Sequence, residues 1–392
     1  MEIPSFTIAR LPRIEFGFGV VARLPELLAA YGDRILLVTG TRSFAASSHW
    51  QTLVKELGAR GVTWEHLTVS GEPSPELVDG AVERWGQTGI RAVAGIGGGS
   101  VLDAAKAIAG LLAVGDSVLN YLETHPLQQP YRGPALPLIA VPTTAGTGSE
   151  ATKNAVLSRQ GPEGFKKSFR HERLVPEVAL VDPDLLSPCP REQIAANAMD
   201  ALTQLMESYT SLKANPLTDA LAESGIQALR EGLFHCFEGG EDAVRGRAAL
   251  AYAALLSGIC LAQTGLGAVH GLASPLGALF PIPHGVVCGT LVAATTRANI
   301  RALRERAPED PVRDKFARLG NLLSEKQHQN PRNARETLSR ILEDWTERLE
   351  IPRLGRFGIR QGDIPAIVAK ARGSSMKTNP IVLTDGELSE IL

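Results

Sequence analysis

Along the first half of the chain, short unbroken apolar runs alternate with longer stretches in which apolar residues return every three or four positions. Arg34–Thr39 (RILLVT) is a run of the first kind and predicts a buried strand that stops at Gly40. A helical pattern over Ser48–Arg60 follows, then a strand around Val62–Val69, a helix over Glu76–Thr88 and a strand over Arg91–Ile96. Leu136–Val141 (LPLIAV) and Val178–Val181 (VALV) predict two more strands. Short apolar strands separated by amphipathic helices predict βαβ units and a mostly parallel sheet.

The pattern changes at the proline-rich joint Asp182–Pro190 (DPDLLSPCP). Beyond it, alternating and β-branched runs give way to long amphipathic stretches: Arg191–Leu212, Leu217–Gly232, Asp242–Gln263 and Ala334–Leu349. The expected organisation is an α/β domain with a parallel, Rossmann-like sheet over 1–186, followed by an all-helical domain over 187–392. The charged stretch Arg301–Lys315 reads as a solvated helix-and-loop face rather than a binding site.

Composition changes this picture little. The 392 residues are 44% hydrophobic and 21% charged, the balance of a globular protein rather than a disordered one. Forty basic against 42 acidic residues leave a net charge of −2, so neither nucleic acid nor an anionic membrane is an expected partner. The sequence shows no signal-peptide pattern, and no stretch reads as the roughly 20 apolar residues of a membrane span. Cys189, Cys236, Cys260 and Cys288 are far apart and form no CxxC pair, so they read as reduced, buried thiols and a cytoplasmic location is expected.

Glycine is abundant, and two of its clusters fall where chemistry is expected. Gly97-Gly98-Gly99-Ser100 follows a predicted strand and opens a predicted helix, with Asp103 in its first turns. Glycine there lets backbone N–H groups and the positive end of the helix approach a phosphate. The alternative is a tight structural turn, since the run is not GxGxxG. A second loop, Pro142–Glu150, carries Thr143, Thr144, Thr147 and Ser149 and also follows a strand. Both loops would lie at the carboxyl ends of sheet strands, where α/β folds bind nucleotides.

A third constellation lies in the helical half. Asp200 and Gln204 are four residues apart on a predicted helix and share a face, while His270 and His284 flank GLASPLGALFPIP. One carboxylate and two imidazoles suit Zn²⁺ or Fe²⁺, although spacing alone is weak evidence and a core histidine is more often a structural group.

Four motifs in this order, GGGSVLDAAKAIA, VPTTAGTGSEAT, DALTQLMESYTS and GLGAVHGLASPLGALFPIPHG, resemble the iron-containing (group III) alcohol dehydrogenase family. The resemblance spans about residues 95–300. It implies a dinucleotide-binding α/β domain, a helical domain and a divalent metal in the cleft between them. It also implies hydride transfer between NAD(P)(H) and a small alcohol, aldehyde or ketone. Asp200, His270 and His284 match three family ligands. Gln204 stands where most relatives have a histidine ligand, so it is a fourth donor through its amide oxygen or leaves that position to water or substrate. Ser274 replaces a histidine credited with proton relay and takes that role here by position.

Gly40-Thr41-Arg42-Ser43 carries no carboxylate where NAD-preferring relatives have aspartate, and Arg42 leans the expectation towards NADP(H). Lys166 or Lys167 is expected on the ribose side of the nicotinamide. A maleylacetate-reductase-like enzyme acting on an oxo acid, a lyase resembling dehydroquinate synthase and a catalytically silent dinucleotide-binding protein are the alternatives. A homodimer or higher homo-oligomer is expected.

Overall fold

The computed structural model describes residues 4–41, 43–159 and 164–392. They form two compact units, Ala9–Cys189 and Pro190–Leu392, the second joined by the N-terminal residues up to Ile8.

In the first unit the strands are β1 (Arg13–Phe16), β2 (Arg34–Gly40), β3 (Thr63–Val69), β4 (Ala92–Gly97), β5 (Leu138–Pro142), β6 (Asn154–Arg159), β7 (Phe165–Arg170) and β8 (Val178–Val181). Its helices are α1 (Leu24–Ala29), α2 (Ser48–Ala59), α3 (Pro75–Trp85) and α4 (Gly99–Leu111). Six strands make one parallel sheet in the order β1-β8-β5-β4-β2-β3. Connections run outwards in opposite directions from β2 and β4, so the carboxyl ends of these two strands frame the switch point of the sheet.

Successive side chains of β2 alternate between two cores. Leu36 and Val38 pack with residues of α3 and α4, and Ile35 and Leu37 pack with residues of α1 and α2. Burial on both faces explains why this strand is an unbroken apolar run. Glycines set the spacing beneath α4. A Cβ on Gly95 would lie 2.7 Å from Ala105 Cβ, and one on Gly97 would lie 2.5 Å from Val101 Cγ2.

Two features depart from the sequence pattern. β1 is a four-residue edge strand in which Glu15 pairs with Arg13; its alternation of Arg13, Ile14, Glu15 and Phe16 is only four residues long and leaves Ile14 and Phe16 exposed. β6 and β7 form a separate antiparallel pair whose Phe169 is buried against Tyr121 and Tyr131.

Helix α4 is bound to β6 and the loop before it through a buried polar network. Lys106 is fully buried and donates to Thr152 Oγ1 at 2.9 Å and to the Asn154 carbonyl, with Asp103 Oδ1 at 3.3 Å. Asp103 also accepts from Ser149 Oγ and from the Val156 amide.

The second unit contains α5 (Arg191–Thr210), α6 (Pro216–Glu238), α7 (Ala243–Thr264), α8 (Ala268–Leu279), α9 (His284–Arg306), α10 (Val312–Leu323), α11 (Pro331–Arg348), α12 (Ile364–Lys370) and α13 (Asp385–Ile391). The stretch Arg301–Lys315 is divided between the end of α9 and the start of α10. One expectation is corrected: α7 is long and apolar enough to cross a membrane by length and composition, although no such stretch was expected. Most of its apolar stretch is buried inside the helical unit, which is why it can be apolar around its circumference. It packs closely on α6, where a Cβ on Gly232 would lie 2.3 Å from Ala249 Cβ.

Glu150, in the first unit, is 2% exposed, and burial pushes its carboxyl up to about 7 from the usual 4.5. The folded chain therefore holds a proton that the unfolded chain loses between pH 4.5 and about 7, and stability falls as pH rises through that window. A shift of this size corresponds to roughly 3 kcal/mol. Glu150→Gln should remove this slope. Urea denaturation at pH 5 and pH 8 should show the variant gaining on wild type at the higher pH, whereas parallel pH profiles would contradict the assignment.

Candidate active site

Helix α5 supplies the first wall of the site. Asp200, Gln204 and Glu207 are spaced four and three residues apart, so they line one face of a helix that is buried from Met199 to its end. Asp200 is 2% exposed. Burial favours its neutral form, but the charge of His284 and the hydrogen bond and charge of His270 outweigh burial and hold its carboxyl at about 2.

Glu207 organises the start of α8. Its carboxylate accepts from the Gly267 amide at 2.9 Å, the Val269 amide at 2.7 Å and His270 Nδ1 at 2.7 Å. A carboxylate at this end of a helix satisfies N–H groups that lack helical partners and faces the positive end of the dipole. Gly267 has no room for a side chain, because a Cβ would stand 2.8 Å from Glu207 Oε1 and 2.9 Å from Asn379 Oδ1. With its Nδ1–H given to Glu207, His270 turns Nε2 towards Asp200 Oδ1 at 3.3 Å.

Helix α9 brings the remaining groups. Its first turn lies against α5 because Gly285 has no side chain: a Cβ there would be 2.3 Å from the Ala196 carbonyl oxygen. This places His284 Nε2 3.8 Å from Asp200 Oδ1. One turn later Cys288 Sγ lies 3.7 Å from His270 Nε2 and 3.9 Å from His284 Nε2. Asp200, His270, His284 and Cys288 each offer one ligand atom, and these atoms all lie within 4.8 Å of one another. Carboxylate, imidazole and thiolate donors at this separation fit a divalent cation of the zinc or iron class.

Cys288 and Glu207 were not singled out in the sequence. Both carried a periodic signal: Glu207 lies seven residues after Asp200, and Cys288 four after His284. Cys288 is a free, buried thiol, as its isolation from other cysteines implies, and its place in this cluster adds a candidate ligand role. Gln204 donates from Nε2 to Asp200 Oδ1 at 3.1 Å, and Ser257 Oγ lies 2.7 Å from its Oε1. Ser274 is exposed, one turn beyond His270 on α8.

The expected nucleotide residues lie in the other unit. Gly40 ends β2, and Gly97, Gly98, Gly99 and Ser100 form the junction from β4 into α4. Gly98 is the N-cap of α4, and no side chain hydrogen-bonds there as a cap. The loop after β5 lies against this junction: the Thr143 amide donates to the Gly97 carbonyl at 3.0 Å. Thr144 and Thr147 crowd Gly98 and Gly99, so that a Cβ on Gly99 would lie 2.7 Å from Thr147 Cγ2. Asp103 and Ser149 bond to each other within the network described above. Lys166 lies on β7, 3.1 Å from Glu72 Oε2. Arg42 lies outside the described residues.

Glu207→Gln tests the first of these arrangements. An amide offers one acceptor oxygen where the carboxylate offers two, so one of the three buried donors loses its partner. The metal-free variant should be less stable by about 1–3 kcal/mol in urea denaturation. Wild-type stability would mean that the carboxylate is not what holds α8 and His270.

Residues 12–183 match the family described as iron-containing alcohol dehydrogenase, and residues 194–392 match the C-terminal part of the Fe-containing alcohol dehydrogenase family. Among curated relatives, the probable alcohol dehydrogenase EutG of Escherichia coli is 36% identical over 273 residues. That match covers 69% of this chain and 65% of EutG, just under two thirds of the relative's length. The NAD-dependent methanol dehydrogenase of Bacillus methanolicus is 30% identical over 324 residues, covering 82% of this chain and 81% of the relative. The crystal structure of 1,3-propanediol oxidoreductase superposes with a TM-score of 0.88 at 28% identity over 99% of both chains. With both halves of the chain matched and the fold shared along its length, this protein belongs to the iron-containing alcohol dehydrogenase family.

Proposed function

We propose that this chain is a metal-dependent alcohol dehydrogenase that moves a hydride between NAD(P)(H) and a small alcohol, aldehyde or ketone. The observation that carries the reading is the meeting of buried Asp200 and His270 with half-buried His284 from three helices, in a member of this family. A divalent cation held there supplies Lewis acidity towards the oxygen of the reacting alcohol or carbonyl.

The residues of the chain have separate tasks in this scheme. Asp200, His270 and His284 hold the cation, and Glu207 fixes the tautomer and orientation of His270, as outer-shell carboxylates do. The glycine junction at Gly97–Gly99, with Thr143, Thr144 and Thr147 beside it, receives the cofactor phosphates at the start of α4. Ser274 is placed one turn from His270 and exposed, and it passes a proton towards solvent. We assign NADP(H) as the preferred cofactor, because Gly40–Ser43 offers no carboxylate to repel a 2′-phosphate and Arg42 offers a cation for it.

Two measurements test this reading. Protein loaded with Fe²⁺ or Zn²⁺ should reduce members of a panel of aldehydes and 2-oxo acids with NADPH or NADH. His284→Ala should lose this turnover together with its metal, since the remaining shell is incomplete; full metal content and full turnover in the variant would sink the site assignment. In Gly98→Val, Cβ would stand 3.2 Å from Thr144 Oγ1 and the added methyls would occupy the phosphate approach. Fluorescence titration with NADPH and NADH should show affinity lower by about tenfold or more, the equivalent of about 1.4 kcal/mol. Unchanged affinity for both cofactors would remove the junction from the nucleotide site.

A further inference from the structure

We infer that Cys288 is itself a ligand of the metal, so that the centre holds its cation through one carboxylate, two imidazoles and one thiolate, while Gln204 acts on Asp200 rather than on the cation. This rests on the reading of the cluster as a metal site and extends it by naming the fourth donor.

The distances between donors carry the argument. A tetrahedral zinc with bonds of about 2.0–2.1 Å to nitrogen and oxygen and about 2.3 Å to sulfur separates N and O donors by about 3.4 Å and N from S by about 3.6 Å. Here Asp200 Oδ1 lies 3.3 Å from His270 Nε2 and 3.8 Å from His284 Nε2. Cys288 Sγ lies 3.7 Å and 3.9 Å from the same two nitrogens. Four edges of the tetrahedron are therefore already present to within a few tenths of an ångström. Of the other cysteines, Cys260 is also buried, but its Sγ faces a single carbonyl, that of Thr218, at 3.6 Å.

The hydrogen bonds around the cluster point the same way. Glu207 accepts a hydrogen bond from His270 Nδ1, which turns Nε2 towards the Asp200 carboxylate and the sulfur, where it carries a proton when no cation is bound and offers a lone pair to a bound cation. A carboxylate oxygen, two imidazole nitrogens and a sulfur converge there, and a positive charge, a histidine proton or a bound cation, is what balances the buried carboxylate. Gln204, four residues after Asp200 on α5, does not supply that fourth donor. Its Nε2 donates to Asp200 Oδ1 and its Oε1 meets Ser257 Oγ, so its oxygen is engaged away from the centre. Cys288, from the neighbouring helix α9, supplies a fourth protein donor. On ligation the thiol proton is released to solvent and the sulfur binds as thiolate. The thiolate and the Asp200 carboxylate together match the charge of a divalent ion, and a sulfur donor shifts the preference towards zinc and away from magnesium or manganese.

The test uses the full-length protein with zinc or cobalt(II) as probe. X-ray absorption at the zinc edge should show one sulfur at about 2.3 Å among nitrogen and oxygen neighbours. The cobalt protein should show a thiolate-to-cobalt charge-transfer band in the near ultraviolet. Cys288→Ala and Cys288→Ser should lose that band. In chelator competition their zinc affinity should fall by about 100-fold or more, at or beyond the upper end of the 10–100-fold typical of removing an outer-shell partner. Gln204→Ala should keep the band and stay within that 10–100-fold range. A zinc shell of nitrogen and oxygen alone, with unaltered affinity in both Cys288 variants, would overturn the assignment of Cys288 and leave the site intact. Metal binding that survives both Asp200→Ala and His284→Ala, or no stoichiometric metal in wild type, would instead overturn the site itself, and the Cys288 assignment with it.

Discussion

The carboxylate of Glu207 is the constraint on which the helical unit's chemistry depends. It has three donors to satisfy, two from the first turn of α8 and one from the His270 ring. Because it satisfies all three at once, the start of a helix and the orientation of a ligand are fixed by the same group. Asn379 closes the arrangement by accepting from the Ala268 amide at 3.0 Å. A metal-binding histidine held in this way has its second nitrogen aimed before any cation arrives, and the cost of ordering the site is met during folding.

Close backbone approach is the second device, and both units use it. Gly285 and Gly289 let α9 lie against α5, which is what brings His284 and Cys288 to Asp200. Gly95 and Gly97 let α4 lie against β4, which is what leaves the start of α4 directly after the strand. In neither place is the glycine needed for an unusual backbone angle; each is needed because the space a Cβ would occupy is already filled. The chain is rich in glycine for this reason as much as for its turns, and that links its composition to its function.

Much of the fold was legible in the linear pattern. β2, β4, β5 and β8 are buried on both faces of the sheet and so read as unbroken apolar runs at almost the positions where they occur. The long helices α5, α6 and α11 have repeating apolar faces, α7 is apolar around its circumference, and all four occur with ends displaced by a few residues. β1 and the β6–β7 pair were not legible. The alternation in β1 is only four residues long and buries neither Ile14 nor Phe16, too little to mark a strand, and Phe169 of the β6–β7 pair packs on Tyr121 and Tyr131, distant in sequence. Helix α8 and the start of α9 were hidden for another reason. The run from Gly265 to Gly285 is dense in glycine and proline, with Pro275 inside α8, and those residues usually mark loops.

The sequence by itself determined which residue types were available for the chemistry. It showed an acidic residue and two histidines in the helical half of the chain and two glycine-bearing turns after strands. These are local facts, set by spacing along one helix or one strand–helix joint. What only the tertiary structure decided is which of these groups meet. Glu207 and His270 are 63 residues apart, and Cys288 faces both histidines only because Gly285 lets α9 lie against α5. Hydrogen bonds and ligand bonds act over about 2–4 Å, a scale that spacing along the chain does not specify until side chains have packed, and so the fourth donor and the group that orients His270 became visible only in the folded protein.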